Sequence, residues 1–338
     1  MIRITLDESS LAKVRIATSP LWETLSSIAL LNRYRTEMPY PYEAWAGRAR
    51  QVVSQPFYEE LSGWIRQLRP LRWPSFLASI PAAGSTSIHD ELAALRRTTP
   101  QDVVSELAEL YPDGVPGPLV SFADSPADAL ARFTDLVESY YLAALAPYWT
   151  AMRGVLEEEI LFRGRTLATE GTGAMLRDLG GQVRWEGRRL SLPHQTDIEC
   201  VLRRSQLLIV PVLFGRGMRM FSRDFQGTTA ISYQARGAAV LATRPTPGAG
   251  SGTSPCGLDR LALLLGRSRA AVLRALAVPT TTTSVSETLG LAPSTVSEHL
   301  TTLSAAGMIR RRRVGFRVLY ELDRGGLALI SHLDGQQP

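Results

Sequence analysis

Four consecutive arginines, Arg310 to Arg313, with Arg317 just beyond a Val-Gly pair, form the densest concentration of one chemistry in the chain. A guanidinium is a planar fork of donors matched to phosphate oxygens, so a run of them on a projecting hairpin suits the backbone or minor groove of nucleic acid. Directly ahead lies "PSTVSEHLTTLSA", in which Val296, Leu300 and Leu303 share one helical face at offsets of four and seven. At 100° per residue, Ser294, Glu298, Thr301 and Ala305 point the opposite way, with Thr295, Ser297 and Thr302 at the flanks. Such a face is small and polar enough to enter a DNA groove. Ser294, Thr295, Ser297 and Thr301 are therefore expected to reach bases or phosphates, and Arg310, Arg311, Arg312, Arg313 and Arg317 to anchor the backbone beside them. Glu298 shares the outward face; it either accepts from cytosine N4 or weakens binding by repelling phosphate. His299 lies only about 60° from the apolar face, which favours a packed, hydrogen-bonded histidine over a base contact.

These residues need elements to hold them. Leu258, Leu261, Leu265, Val272 and Leu276 fall on one face of a helix ending before Pro279. "TSVSETLG" offers Ser284 and Glu287 as a capping box and Gly290 as a helix stop, and Pro293 opens the next helix. "MIRRRRVGFRVLYEL" reads as two strands about a turn at Val314-Gly315, with Phe316, Val318, Tyr320 and Leu322 alternating inward. Short helix, Gly-containing turn, polar-faced helix and basic hairpin make a winged helix-turn-helix.

"TTSVSETLGLAPSTVSEHLTTLSAAGMIRRRRVGFRVLYEL" resembles the winged helix of the ArsR family of bacterial transcription regulators, over roughly residues 258–322. The resemblance implies a DNA-binding homodimer, usually a repressor, acting on a near-palindromic operator in double-stranded DNA and controlled by a ligand or metal. A long N-terminal region ahead of this module is similar to the layout of a group of actinobacterial regulators, and 36 arginines against one lysine agree with a GC-rich genome. Three positions depart from the family. The cysteines with which its metal sensors commonly flank the third helix are missing, and a lone His332 in the tail is short of the three or four donors zinc needs, so no metal site is expected. Glu298 replaces a residue that is often basic. Ala292 stands at the cap of the recognition helix, whose first turn should then fray in the free protein.

The remaining chain sets the context. Ten arginines and six acids lie from Cys256 onward, so the last quarter carries four of the five net positive charges. "TRPTPGAGSGTSPC", residues 243–256, has the composition of a flexible linker, and of 25 aromatic residues only Phe316 and Tyr320 lie beyond it. Residues 1–242 are expected to form one α+β domain, helices first and strands later, with residues 257–338 as the winged module. Helices should open at Pro20, Pro100 and Pro126, each preceded by Ser or Thr, and one more should run from about Tyr148 to Leu167. Leu130, Phe133, Val137, Tyr140 and Tyr141 mark the buried face of the third. "QVRWEGRRLSL" predicts a hairpin about Glu186-Gly187, and "LLIVPVLF" and "TTAISYQA" predict strands. No apolar run reaches membrane-spanning length and the first residues lack an export signal, so a cytoplasmic protein is expected.

Two cysteines make neither a disulfide scaffold nor a zinc site. "PHQTDIEC" gathers His194, Asp197, Glu199 and Cys200, residue types suited to a metal or a Cys-His pair, but a nucleophile and its base usually come from separated parts of a fold. Without a phosphate loop, nucleophile elbow or HExxH, no enzyme and no cofactor are expected. The long domain is read as dimerising and sensing a small molecule, with Tyr34, Tyr40, Tyr42 and Trp45 as candidate walls of an apolar effector pocket. A winged helix that binds protein, or a ligand-modifying enzyme with a DNA-binding tail, are the other readings.

Overall fold

The computed structural model describes residues 1–53, 55–68, 73–81, 87–180, 183–194, 197–216, 219–224, 227–242, 260–277, 279–314 and 317–333. It is α+β and divides into two compact units, Met1–Pro39 with Glu43–Ala235, and Arg236–Pro338 with Tyr40–Tyr42. The linker expected at 243–256 lies outside the described residues.

In the first unit, strands β1 (Ile2–Leu6) and β2 (Arg15–Ile16) flank helix α1 (Glu8–Ala12). Helices follow: α2 (Pro20–Arg33), α3 (Glu43–Val52), α4 (Gln55–Leu68), α5 (Ile88–Arg96), α6 (Pro100–Leu110), α7 (Val120–Asp124), α8 (Pro126–Tyr140), α9 (Ala146–Glu170) and α10 (Thr172–Arg177). The starts at Pro20, Pro100 and Pro126 are as expected. Ser19 and Thr99 accept from Trp22 and Asp102 N–H, whereas Ser125 makes no such cap bond. Leu130, Phe133, Val137, Tyr140 and Tyr141 are all buried. A single π-helical turn, Tyr141–Leu145, joins α8 to α9. Phe122 packs edge-on and Phe133 tilted against Trp64, at 5.3 and 5.8 Å, an aromatic centre for the helices.

Six more strands come after the helices: β3 (Arg184–Glu186), β4 (Arg189–Leu192), β5 (Ile198–Leu202), β6 (Leu207–Val212), β7 (Phe221–Arg223) and β8 (Thr229–Gln234). The predicted hairpin is β3–β4, and the two predicted strands are β6 and β8. One sheet runs β3-β4-β1-β5 and the other β2-β6-β8-β7, with β2, β6 and β8 parallel. The two short strands ahead of α2 are additions to the sequence reading: β1 lies in the middle of its sheet, antiparallel to β4 and parallel to β5. Ile2, Ile4 and Leu6 join Ile209, Ile231 and Tyr233 of the other sheet in one apolar core.

Two fully buried carboxyls brace this unit. Glu23 accepts from the N–H groups of Leu213 (2.6 Å) and Phe214 (3.3 Å), fixing the chain where it leaves β6. Glu91 accepts from Leu21 N–H at 2.7 Å, in the first turn of α2. Burial pushes both pKa values up to about 8. A raised folded-state pKa gives stability that is full below the unfolded value near 4.5 and is lost as pH rises through the folded one. The unfolding free energy obtained from urea titrations should therefore fall between pH 5 and pH 8.5, by on the order of 3 kcal/mol per group. Glu91→Gln, which keeps an acceptor for Leu21, should flatten that dependence; equal slopes for variant and wild type would rule Glu91 out as its source.

The second unit holds α11 (Arg260–Leu265), α12 (Arg267–Ala275), α13 (Thr282–Leu289), α14 (Pro293–Ala305), β9 (Ile309–Val314), β10 (Arg317–Leu322) and α15 (Arg324–Leu333). The single helix expected over Leu258–Leu276 is two: Gly266, at φ 79°, turns the chain between α11 and α12, and Leu258 lies outside the described residues. The cap of α13 is Thr281, whose hydroxyl accepts from Ser284 N–H, so Ser284 is inside the helix and the expected capping box does not form. Leu261, Val272, Leu276, Val285, Leu289, Val296, Leu300, Leu303 and Ile309 make the core.

Candidate nucleic-acid interface

Helix α14 runs from Pro293 to Ala305, the bounds read from the sequence. Its entry depends on Gly290, which ends α13 in the left-handed region at φ 65° and donates to the Ser286 carbonyl. A residue with a Cβ would be strained there. Val296, Leu300 and Leu303 are at most 2 % exposed, which fixes the rotation of the helix and turns Ser294, Ser297, Glu298 and Thr301 to solvent, with Thr295 half-buried. Ala292 supplies no side-chain cap, as the sequence implies. The hydroxyl of Thr301 donates to the Ser297 carbonyl and that of Thr302 to the Glu298 carbonyl, at 2.8 and 3.0 Å. Each therefore meets a ligand as an acceptor or through its methyl group, a restriction that spacing alone does not reveal.

His299 is packed, but the hydrogen bond expected for it is absent: Nδ1 is buried without a partner among the described residues. Burial, with Arg269 adding to it and Glu298 opposing, holds its pKa below the ordinary imidazole value. The ring is neutral at neutral pH and serves the packing of α14.

The basic hairpin is a ladder of β9 and β10 in which Arg310 faces Glu321, Arg311 faces Tyr320, Arg312 faces Leu319 and Arg313 faces Val318. A third short segment joins it, because Thr280 and Tyr320 exchange N–H···O bonds of 3.0 and 2.8 Å. Side chains alternate along a strand, so the four arginines do not act as one cluster. Arg310 and Arg312 share a face with Glu321; Arg311 and Arg313 share the other with Ile309 and Tyr320. Arg310 Nε bonds Glu321 Oε1 at 2.9 Å, so its charge is already compensated. Glu321 was not among the residues singled out in the sequence, although cross-strand Arg–Glu pairing about the turn is a signal that could have found it. Arg311, Arg312 and Arg313 are exposed.

Val318 does not turn inward as expected but is 42 % exposed, because the core ends at Tyr320 and Leu322 and the strand continues past it. The predicted turn residue Gly315, Phe316 and the side chains of Val314 and Arg317 lie outside the described residues; Arg317 pairs with Val314 through its backbone.

The other candidate residues are scattered. Arg3 draws Asp197 and Glu199 to the outer face of the first sheet, at 3.6 and 3.2 Å, while Cys200 points into the core opposite Ile4. Among the described residues no group of three or more His, Cys, Asp or Glu side chains is arranged to hold a metal. Trp45 is fully buried, donates to the Ala144 carbonyl at 3.0 Å and stacks on Phe214. Tyr42 is 1 % exposed, Tyr40 is half-buried, and Tyr34 is half-buried under the Arg33 guanidinium. Among the described residues no helix is long and apolar enough to cross a membrane. Comparison with known proteins finds no match among curated proteins or solved structures. Compared with protein families, residues 264–312, spanning the end of α11 to the middle of β9, match a helix-turn-helix domain, and DNA is the partner this domain implies.

Proposed function

We propose that the protein is a sequence-specific transcription regulator, a homodimeric repressor of the ArsR type that uses no metal of its own. The observation that carries this reading is α14: a helix whose outward face is Ser294, Ser297, Glu298 and Thr301, set beside a strand of exposed arginines. Nothing bulky on that face hinders entry into a major groove, and the adjoining arginines supply backbone contacts. Two copies related by a twofold axis read a near-palindromic operator with half-sites one helical turn, or a multiple of it, apart. The first unit dimerises, senses a small molecule and carries no enzymatic activity in this reading.

The test is a titration of the full-length protein on the DNA flanking its own gene and on an unrelated duplex of equal length, across a range of salt. A preference for the flanking DNA of roughly 10³-fold or more at physiological salt is the expected result. Equal, salt-fragile binding to both would remove sequence recognition. Little affinity even at low salt would favour a protein-binding winged helix, the reading to which an exposed Glu298 lends support.

A further inference from the structure

The first unit carries a cationic depression that the DNA-binding reading does not use. Lys13, Arg15, Arg204, Ser205, Gln206 and Thr228 line an open hollow of about 380 Å³. It sits at the N-terminal ends of the three parallel strands: Arg15 begins β2, Ser205 and Gln206 lead into β6, and Thr228 leads into β8. No carboxylate is among its lining residues, and among the described residues neither Lys13 nor Arg15 forms a salt bridge; the Arg204 charge acts on Asp7, whose pKa it helps to lower.

Its shape is fixed by bonds between the neighbouring acids and the backbone. The Asp7 carboxylate accepts from the N–H groups of Ser10 at 2.7 Å and Arg204 at 3.1 Å, and Ser205 N–H donates to the Ser10 hydroxyl at 3.1 Å. Asp224 accepts from Thr228 N–H at 2.8 Å. Both carboxylates are held by backbone N–H groups, and neither lines the hollow. The cations in turn are held by carbonyl oxygens: Lys13 Nζ donates to Arg204 O at 2.9 Å, and Arg15 donates to Ala12 O and Val14 O at 3.2 and 2.9 Å. A carbonyl orients an ammonium or guanidinium without cancelling its charge, and each retains further N–H donors. Arg204 has a positive φ of 55°, and it alone among the described residues other than glycine does so. A side chain is kept at a backbone angle that glycine would occupy more easily.

We propose that this depression binds the phosphate group, or a comparable oxyanion, of a small polar molecule, with Lys13, Arg15 and Arg204 supplying charge and Ser205, Gln206 and Thr228 supplying further polar contacts. Binding here is independent of what the winged unit does. It gives the regulator reading a chemical class of effector, anionic and hydrophilic, in place of an apolar one.

The experiment titrates the full-length protein with inorganic phosphate and pyrophosphate against sodium chloride at matched ionic strength, following thermal unfolding and heat of binding. The informative variant is Arg204→Gly, which deletes the cation while relaxing the backbone and so should be at least as stable as wild type in chloride. Expected are a saturable rise in the wild-type unfolding temperature and a loss of roughly tenfold or more in apparent affinity in R204G. An equal rise in both proteins would be the general stabilisation that excluded phosphate salts give any fold, and would overturn the proposal. So would the lack of a saturable response in the wild type. A third arm measures R204G on duplex DNA. If R204G leaves phosphate binding unchanged but weakens DNA binding, the cluster is a contact for DNA backbone and the small-molecule assignment falls. Failure of DNA recognition alone, with the phosphate response intact, would instead count only against the regulator reading.

Discussion

Replacing Arg311 and Arg312 together by Ala should lower affinity for every duplex about tenfold at moderate salt and reduce the slope of log K against log salt by about 1, since one of the two faces meets the backbone and each phosphate neutralised contributes about 0.9. The pair takes one exposed guanidinium from each face of the ladder, so the result does not depend on which face meets the DNA. Arg310→Ala should have a smaller effect, because its charge is already spent on Glu321. Glu321→Gln should act in the opposite sense: a released Arg310 adds up to one more phosphate contact, strengthening binding to duplex DNA whatever its sequence. Salt-dependent binding curves for the four proteins separate these outcomes. An unchanged slope in R311A/R312A would mean that β9 and β10 do not touch the backbone.

The largest stability effect is expected at Arg163. Its Nε bonds Glu159 at 2.7 Å, its other nitrogen reaches Asp178 Oδ2 at 2.6 Å and the Asp178 carbonyl, and Tyr233 donates to Glu159 at 3.0 Å. Arg163 and Glu159 are each only 2 % exposed. Helix α9 is thereby tied to the end of α10 and to β8 through one charge-assisted network. Arg163→Ala strips the buried Glu159 carboxylate of its guanidinium, and should cost about 3–5 kcal/mol in urea unfolding of the first unit. Truncating both partners, with Glu159→Leu added to Arg163→Leu, should recover most of the loss, because the penalty comes from the stranded charge more than from the missing bond. A single variant as stable as wild type would show that water reaches Glu159 in the native state.

What could be read from the sequence was local. The bounds of α14 follow from Pro293 and from three apolar residues whose spacing admits one rotation. The β3–β4 hairpin and the starts at Pro20, Pro100 and Pro126 are likewise written within a few residues. Competing local signals misled at α13, where the run Thr280 to Ser284 offers several hydroxyls as caps and tertiary structure selects Thr281. The break at Gly266 was hidden because Leu261, Val272 and Leu276 point into one core on both sides of it. The division of the arginines between two faces was legible and overlooked: in any strand, four consecutive residues divide two and two. The depression beside Arg204 left no signal, since Lys13 and Arg15 meet it across nearly the whole first unit.

The placement of β1 has a consequence for how the chain comes into being. Ile2 pairs with Leu192 on one side and Ile198 on the other, so β1 waits for nearly two hundred further residues to be made before either neighbour exists. Pairing at such separation is slow, whereas α13, α14 and the β9–β10 ladder find one another within about forty residues and should condense quickly. During synthesis the helices from α2 to α9 are made while Ile2, Ile4 and Leu6 still lack their partners, and the helix-turn-helix unit is translated after the strands of the first unit. By the time the helix-turn-helix unit can fold, every strand of the first unit has therefore been made.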